Sequence, residues 1–195
     1  MYILLMNARD RLIESAQELL WERGYVGTSP RAIQERAGAG QGSMYHHFSG
    51  KPDLALAAVR RSAEALCALA EAELAGPGGA VQRISAYLRR ERDVLRGCRI
   101  GRLTQDPDIV ADPALRQPLR ETFDRLRRRL AEVIAEGQAR GEIAADLAAA
   151  DLAATILAAL QGGYVLARAA GTAEPFDRAV DGALALLRRA APSSS

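Results

Sequence analysis

The chain has 195 residues, 49% of them hydrophobic and 26% charged, with 26 basic against 24 acidic side chains and a formal net charge of +2. That balance fits a globular protein able to bury a core and excludes a chain disordered along its length. So small a net charge gives no bulk sign of a nucleic-acid partner, so any such contact has to come from a local surface.

The opening MYILLMNARD is apolar, too short for a signal peptide, and carries its basic residues after the apolar part. Met6 is an alternative start. From Arg9 to Arg23, Leu12, Ile13, Ala16, Leu19 and Leu20 make a helical stripe, with Asn7 placed as N-cap and Gly24 just past the end. In TSPRAIQERAG, Ser29 can cap a short helix, Pro30 suits its first position and Gly38 can close it. After the GAG link, QGSMYHHF gives about two more turns, and Gly50 breaks them. Pro52 begins a longer helix through Leu54, Ala58, Ser62, Leu66 and Leu69, which ends near AGPGG.

Val81, Ile84, Leu88 and Leu95 mark the next helix. GCRIGRLTQDPDIVADP holds two prolines and two glycines and reads as a short helix with loops. A long helix from Pro113 to about Arg140 carries Leu119, Phe123, Leu126, Leu130, Val133 and Ile134, with Gly141 beyond its end. Two more helices follow, over 146–170 and 175–190, and the APSSS tail (191–195) reads as disordered. No period-two pattern of strands occurs, so the expected fold class is all-α.

The 146–170 helix has apolar residues on more than one side, among them Ile156, Leu157, Leu160, Val165 and Leu166. Such a helix needs burial on several faces. Either a second subunit covers it, or it is the central core helix of a monomer. No apolar run approaches the roughly 20 residues that span a bilayer, so no membrane partner is expected. Cys67 and Cys98 form no CxxC pair. A disulfide framework or zinc ribbon is not expected, and a reducing, cytoplasmic location is.

The stretch GAGQGSMYHHFSGKPDL holds both histidines and the chain's single lysine. Adjacent His46 and His47 would point about 100° apart on a helix, whereas paired metal ligands sit at i, i+3 or i, i+4. No third ligand is near, so no metal and no cofactor are expected. Ser43 lies near His46 and His47, but no strand–turn–helix elbow or phosphate loop surrounds it, and no catalytic residue is assigned. Two short helices joined by a tight glycine turn also fit a helix-turn-helix, whose second helix offers its N-terminal residues to the major groove. Gln41, Gly42 and Ser43 would then face bases, and Arg31 a guanine or the backbone. Tyr45, His46, His47 and Lys51 can donate to phosphates. Spacing alone leaves this reading level with a solvated polar face.

The segment LLWERGYVGTSPRAIQERAGAGQGSMYHHFSGKPDL closely resembles the N-terminal DNA-binding domain of TetR-family transcriptional regulators. The matching marks are Gly24–Tyr25, Thr28–Ser29, Ile33, Ala37–Gly38, Tyr45, His47–Phe48, Lys51 and Leu54. Gln34 stands where an alanine is usual, and Gly40 where a small capping residue is usual. The resemblance implies about nine helices, with a helix-turn-helix head over 1–51 and a ligand-binding and dimerisation domain over 52–190. It implies a homodimer through the last two long helices, double-stranded operator DNA as partner, and a small-molecule effector. In that family's pattern Arg31, Gln41, Gly42, Ser43 and His46 face bases or the groove floor. Ser29, Tyr45, His47 and Lys51 take phosphate positions. Leu20, Tyr25, Ile33, Ala37, Met44, Phe48 and Leu54 take core positions.

The function expected is therefore a ligand-responsive repressor. The alternative is a helical small-molecule-binding or protein-interaction module without specific DNA binding. Candidate ligand-lining residues are Leu66, Tyr87, Leu88, Leu103, Phe123, Leu126 and Tyr164, placed on helices of the larger domain. Arg99 and Arg102 are expected at the surface, with an acidic ligand as their other possible partner.

Overall fold

The computed structural model describes residues 7–189; the choice of start at Met1 or Met6 and the 191–195 tail fall outside them. Among the described residues the regular elements are nine α-helices and one short 3-10 helix. They are α1 (Ala8–Arg23), α2 (Pro30–Ala37), α3 (Gln41–His47), α4 (Lys51–Leu74), α5 (Ala80–Arg89), the 3-10 helix (Gly101–Gln105), α6 (Pro107–Ala111), α7 (Pro113–Ala139), α8 (Ala149–Ala170) and α9 (Glu174–Arg189). The chain forms two compact units. The first holds the chain up to Ala65 together with Arg99–Glu121; the second holds Leu66–Cys98 and the chain from Thr122 on.

In the first unit the helices end where local chemistry stops them. The Asn7 side chain accepts the Asp10 N–H at 2.8 Å, and Ser29 Oγ accepts the Ala32 N–H at 3.1 Å. Each satisfies a backbone donor that its helix cannot. Pro30 stands at the head of α2, where a missing N–H costs nothing. Gly38 closes α2 in the left-handed region, with φ 58° and ψ 38°. Leu12, Ile33, Met44, Phe48 and Leu54 form the shared core, each at most 4% exposed. Burying each is worth roughly 1.5–3 kcal/mol.

The 99–121 segment docks on the far end of α1. The Arg99 guanidinium lies 3.9 Å from the Trp21 ring centre and pairs with Glu18. Arg102 donates to the Trp21 carbonyl. Both arginines therefore serve α1 while staying part-exposed, so they are surface groups with protein partners. That pairing links residues 81 positions apart in the chain, beyond the reach of local pattern.

In the second unit the buried face of α4 runs through Cys67, Ala70 and Leu74, while Leu69 is 53% exposed. The expected stripe advanced by fours as far as Leu66, each step turning the face by about 40°, and then by three to Leu69. α5 stops at Arg89 because the Arg92 guanidinium folds back and donates to the Tyr87 and Arg90 carbonyls. Leu95 is thus left exposed beyond α5 rather than inside it. α8 starts at Ala149, not at 146, since the Gln138 carboxamide holds the Ala144 and Leu147 carbonyls in a turn. Arg83 caps the end of α4 through the Leu74 carbonyl and pairs with Glu136 of α7, each at 2.6 Å.

α8 and α9 pack along their lengths. Gly163 permits this, because a Cβ there would stand 3.1 Å from the Phe176 ring. Ile156, Leu160, Tyr164 and Ala167 face inward, as do Phe176, Val180, Leu184 and Leu187. The outer face keeps Val165, Leu166 and Leu186 more than half exposed. By length and composition α8 could cross a bilayer, which the sequence reading did not anticipate, although one side of it is a core face against α9.

Candidate nucleic-acid interface

α3 is seven residues long and is anchored by one inward side chain, Met44, which is fully buried. A helix this short is not stable alone; Met44 and the following Phe48 hold it on α1 and α2. The Gln34 carboxamide also donates to Met44 Sδ at 3.2 Å. With the core on one side, Gln41, Gly42, Tyr45, His46 and His47 are exposed and Ser43 is half-buried. A Cβ at Gly42 would meet nothing, so packing does not require that glycine. It leaves the α3 backbone open to close approach.

Arg31 extends from the first turn of α2 with its side chain 87% exposed, pairing with Glu35 at 2.8 Å. Such an exposed pair contributes little and exchanges readily for a better acceptor. Ser29 is occupied in part as the α2 N-cap. His46 and His47 meet edge to face, with ring centres 4.9 Å apart. Lys51 is the first residue of α4, and its ammonium rests 4.0 Å from the centre of the Tyr25 ring. Asp53 accepts the Ser49 N–H at 3.0 Å and so orders the turn between α3 and α4. The predicted core positions Leu20, Tyr25, Ile33, Ala37, Met44, Phe48 and Leu54 are all buried. Among the described residues no three His, Cys, Asp or Glu side chains are placed to hold a metal ion.

The ligand-lining candidates divide. Leu103 lies in the first unit; Leu66, Tyr87, Leu88, Phe123, Leu126 and Tyr164 lie in the second. Arg92 draws two of them, Tyr87 and Tyr164, together with Phe176. It donates to the Tyr164 hydroxyl at 3.2 Å and to the Tyr87 carbonyl, and its guanidinium lies 5.5 Å from the Phe176 ring centre. Burial pushes the Tyr87 phenol up to about 12 and raises that of Tyr164 as well. Both therefore stay neutral hydrogen-bonding groups. Leu88 lines a cleft of about 280 Å³ between the end of α5 and α9, shared with Arg90, Arg92, Val94, Phe176 and Val180. Leu66 and Phe123 are half-buried and Leu126 is buried. Sequence reasoning missed Arg92 and Asp106; the Asp106–Pro107 pair is a local helix-start signal, but the partners Tyr164 and Tyr25 lie about 70 to 80 positions away and no local pattern marks them.

The comparisons with known proteins agree with this geometry. The family model for bacterial regulatory proteins of the tetR family matches residues 12–58. That for the tetracyclin repressor-like C-terminal domain matches residues 78–183. The transcriptional regulator AcuR of Cereibacter sphaeroides is 30% identical over 146 residues, a match covering 71% of this chain and 66% of that relative. The repressor DhaR of a Mycobacterium species is 27% identical over 87% of each chain. A cysteine mutant of the TetR-family regulator CifR, solved with 26-bp double-strand operator DNA, superposes with a TM-score of 0.77 at 26% identity. That superposition covers 94% of this chain and 96% of the other.

Proposed function

This chain belongs to the TetR family of bacterial transcriptional regulators, a ligand-responsive DNA-binding protein and not an enzyme, and we propose that it acts as a homodimeric repressor that a small molecule releases from a palindromic operator. The observation that carries this reading is the outward face of α3. Gln41, Gly42, Ser43, Tyr45 and His46 have no core to fill, while Met44 fixes the helix beneath them. Gln41 offers paired hydrogen bonds to an adenine edge, and Ser43 serves donors or acceptors. Arg31 and His46 face the groove. Ser29, Tyr45, His47 and Lys51 grip phosphates on either side. Family membership replaces the alternative of a module that does not bind DNA.

The exposed Val165 and Leu166 of α8 and Leu186 of α9 support dimerisation through these last two long helices. Two α3 helices set about 34–36 Å apart would read two half-sites one DNA turn apart. The second unit takes the effector; Leu88 and Arg92 line its cleft, and the candidates Tyr87 and Tyr164 lie behind it as partners of Arg92. Leu66, Phe123 and Leu126 remain candidates on the same unit, and Leu103 on the first. α4 runs from Lys51 into the second unit and gives the effector a continuous helix through which to act. Effector and DNA then oppose each other by one coupling energy, typically about 1–3 kcal/mol. The repressor works in the cytoplasm, where its DNA is.

Selection of bound duplexes from random DNA tests the reading. Two inverted half-sites are expected. Repeating the selection with Gln41→Ala should erase the preference at one position per half-site, worth about 1–3 kcal/mol. A pool without an enriched sequence would overturn it.

A further inference from the structure

Asp106 stands 9% exposed at the head of α6, and both of its carboxylate oxygens are in use. Oδ1 accepts the N–H groups of Asp108 and Ile109 and so caps α6. Oδ2 accepts the N–H of Tyr25 at 2.7 Å and that of Val26 at 3.0 Å, in the turn that leaves α1. Charge-assisted bonds of this kind are roughly twice as strong as neutral ones. Gly24 makes room for the carboxylate: its φ is +73°, and a Cβ on it would lie 3.0 Å from Oδ2. The Gly24–Tyr25 pair is thus a backbone seat for an acid side chain some 80 positions further along the chain.

The same seat fixes the Tyr25 ring. It is 8% exposed, and burial raises its phenol above the usual value, with Asp108, Asp112 and Asp106 adding to the effect. Against this neutral ring rests the Lys51 ammonium, 4.0 Å from its centre. A cation over an aromatic face is held by the ring quadrupole. Lysine has a long, flexible stem, and a resting place near its working position reduces the rotamer freedom lost on binding. All of these groups belong to the first unit.

We propose that Asp106 is a positioning residue for DNA binding: by seating the 24–26 turn it places the Tyr25 ring, and the ring presets Lys51 for its phosphate. This rests on the reading of Lys51 as a phosphate contact. It assigns the Gly24–Tyr25 signature a second use beyond ending α1.

A double-mutant cycle tests it, using the full chain and the duplex recovered by random-sequence selection, with affinity followed across a salt series. Lys51→Ala should weaken binding to all sequences and lower the salt slope by about one phosphate. Asp106→Asn replaces one acceptor oxygen by an NH₂ group and should weaken binding about fivefold, the size of a weak cation–π contact. In the Lys51→Ala background the Asp106→Asn loss should vanish. Equal losses in both backgrounds would mean that Asp106 only holds the fold, and would overturn the inference while leaving the Lys51 contact standing. An unchanged affinity and salt slope in Lys51→Ala would overturn the phosphate reading and this inference with it. Should Asp106→Asn fail to fold, Tyr25→Leu replaces it in the same cycle, with Tyr25→Phe expected to behave as wild type.

Discussion

In the first unit α2 and α3 have eight and seven residues, and α2 ends on identifiable groups: Ser29 and Pro30 at its head, Gly38 at its close. In the second unit α8 runs for 22 residues from Ala149, and its N-cap residue Ala148 supplies no side-chain cap. Its hold on α9 is a face of small and aliphatic residues with Tyr164 against Phe176, opened by Gly163. Short helices gain too little from their own hydrogen bonds to stand alone, so caps and turns must each be right. Long amphipathic helices are secured by a face, and many sequences supply a face. The part that must present a fixed surface to DNA is therefore specified position by position. The part that takes a variable small molecule is specified only by its stripes.

The largest way to break this contrast lies on the outer face of the second unit. Leu166→Glu together with Leu186→Glu puts charge where the dimer would close, both positions being more than half exposed. Sedimentation should show monomers with unchanged helix content. Operator affinity should fall by on the order of 100-fold or more, since one head then binds without the second. A dimer that survives both changes would place the interface elsewhere.

A smaller effect is expected at Arg83 and Glu136. Glu136→Gln leaves the buried Arg83 guanidinium without its carboxylate, and the measured stability should drop by about 1.5 kcal/mol, the low end for a charged hydrogen bond because Glu136 is 43% exposed. The Arg83 hydrogen bond holds the Glu136 carboxyl below its usual value, and Arg61 does the same for Asp10 in the first unit. A lowered carboxyl stabilises the fold above its unfolded value, and the gain is lost as pH falls through the folded one. Acid should therefore weaken both units below about pH 4, and Glu136→Gln should flatten only the share that belongs to the second. Operator affinity at neutral pH should not change.

Much of the first unit was legible because its signals are local. Asn7, Ser29, Pro30, Gly24 and Gly38 do in the structure what their types and positions implied. The stripes of α1 and α7 also held, since 3.6-residue spacing marks a buried face; Phe123 alone is only half-buried. What stayed illegible depends on distance along the chain. Arg99, Arg102 and Asp106 look like surface residues of a loop until α1 is brought beside them. Leu95 fitted the spacing of α5, and only the returning Arg92 guanidinium shows why the helix stops before it. The outward side chains of α3 could be placed from sequence, but the bases they read depend on DNA geometry that the chain does not encode by pattern.

The most direct measurement is the affinity of the purified chain for its selected operator against a scrambled duplex of equal length, at one salt concentration. The account predicts a preference of about 10³-fold or more for the operator. Equal affinity for the two would contradict sequence reading by α3, however tightly both were bound.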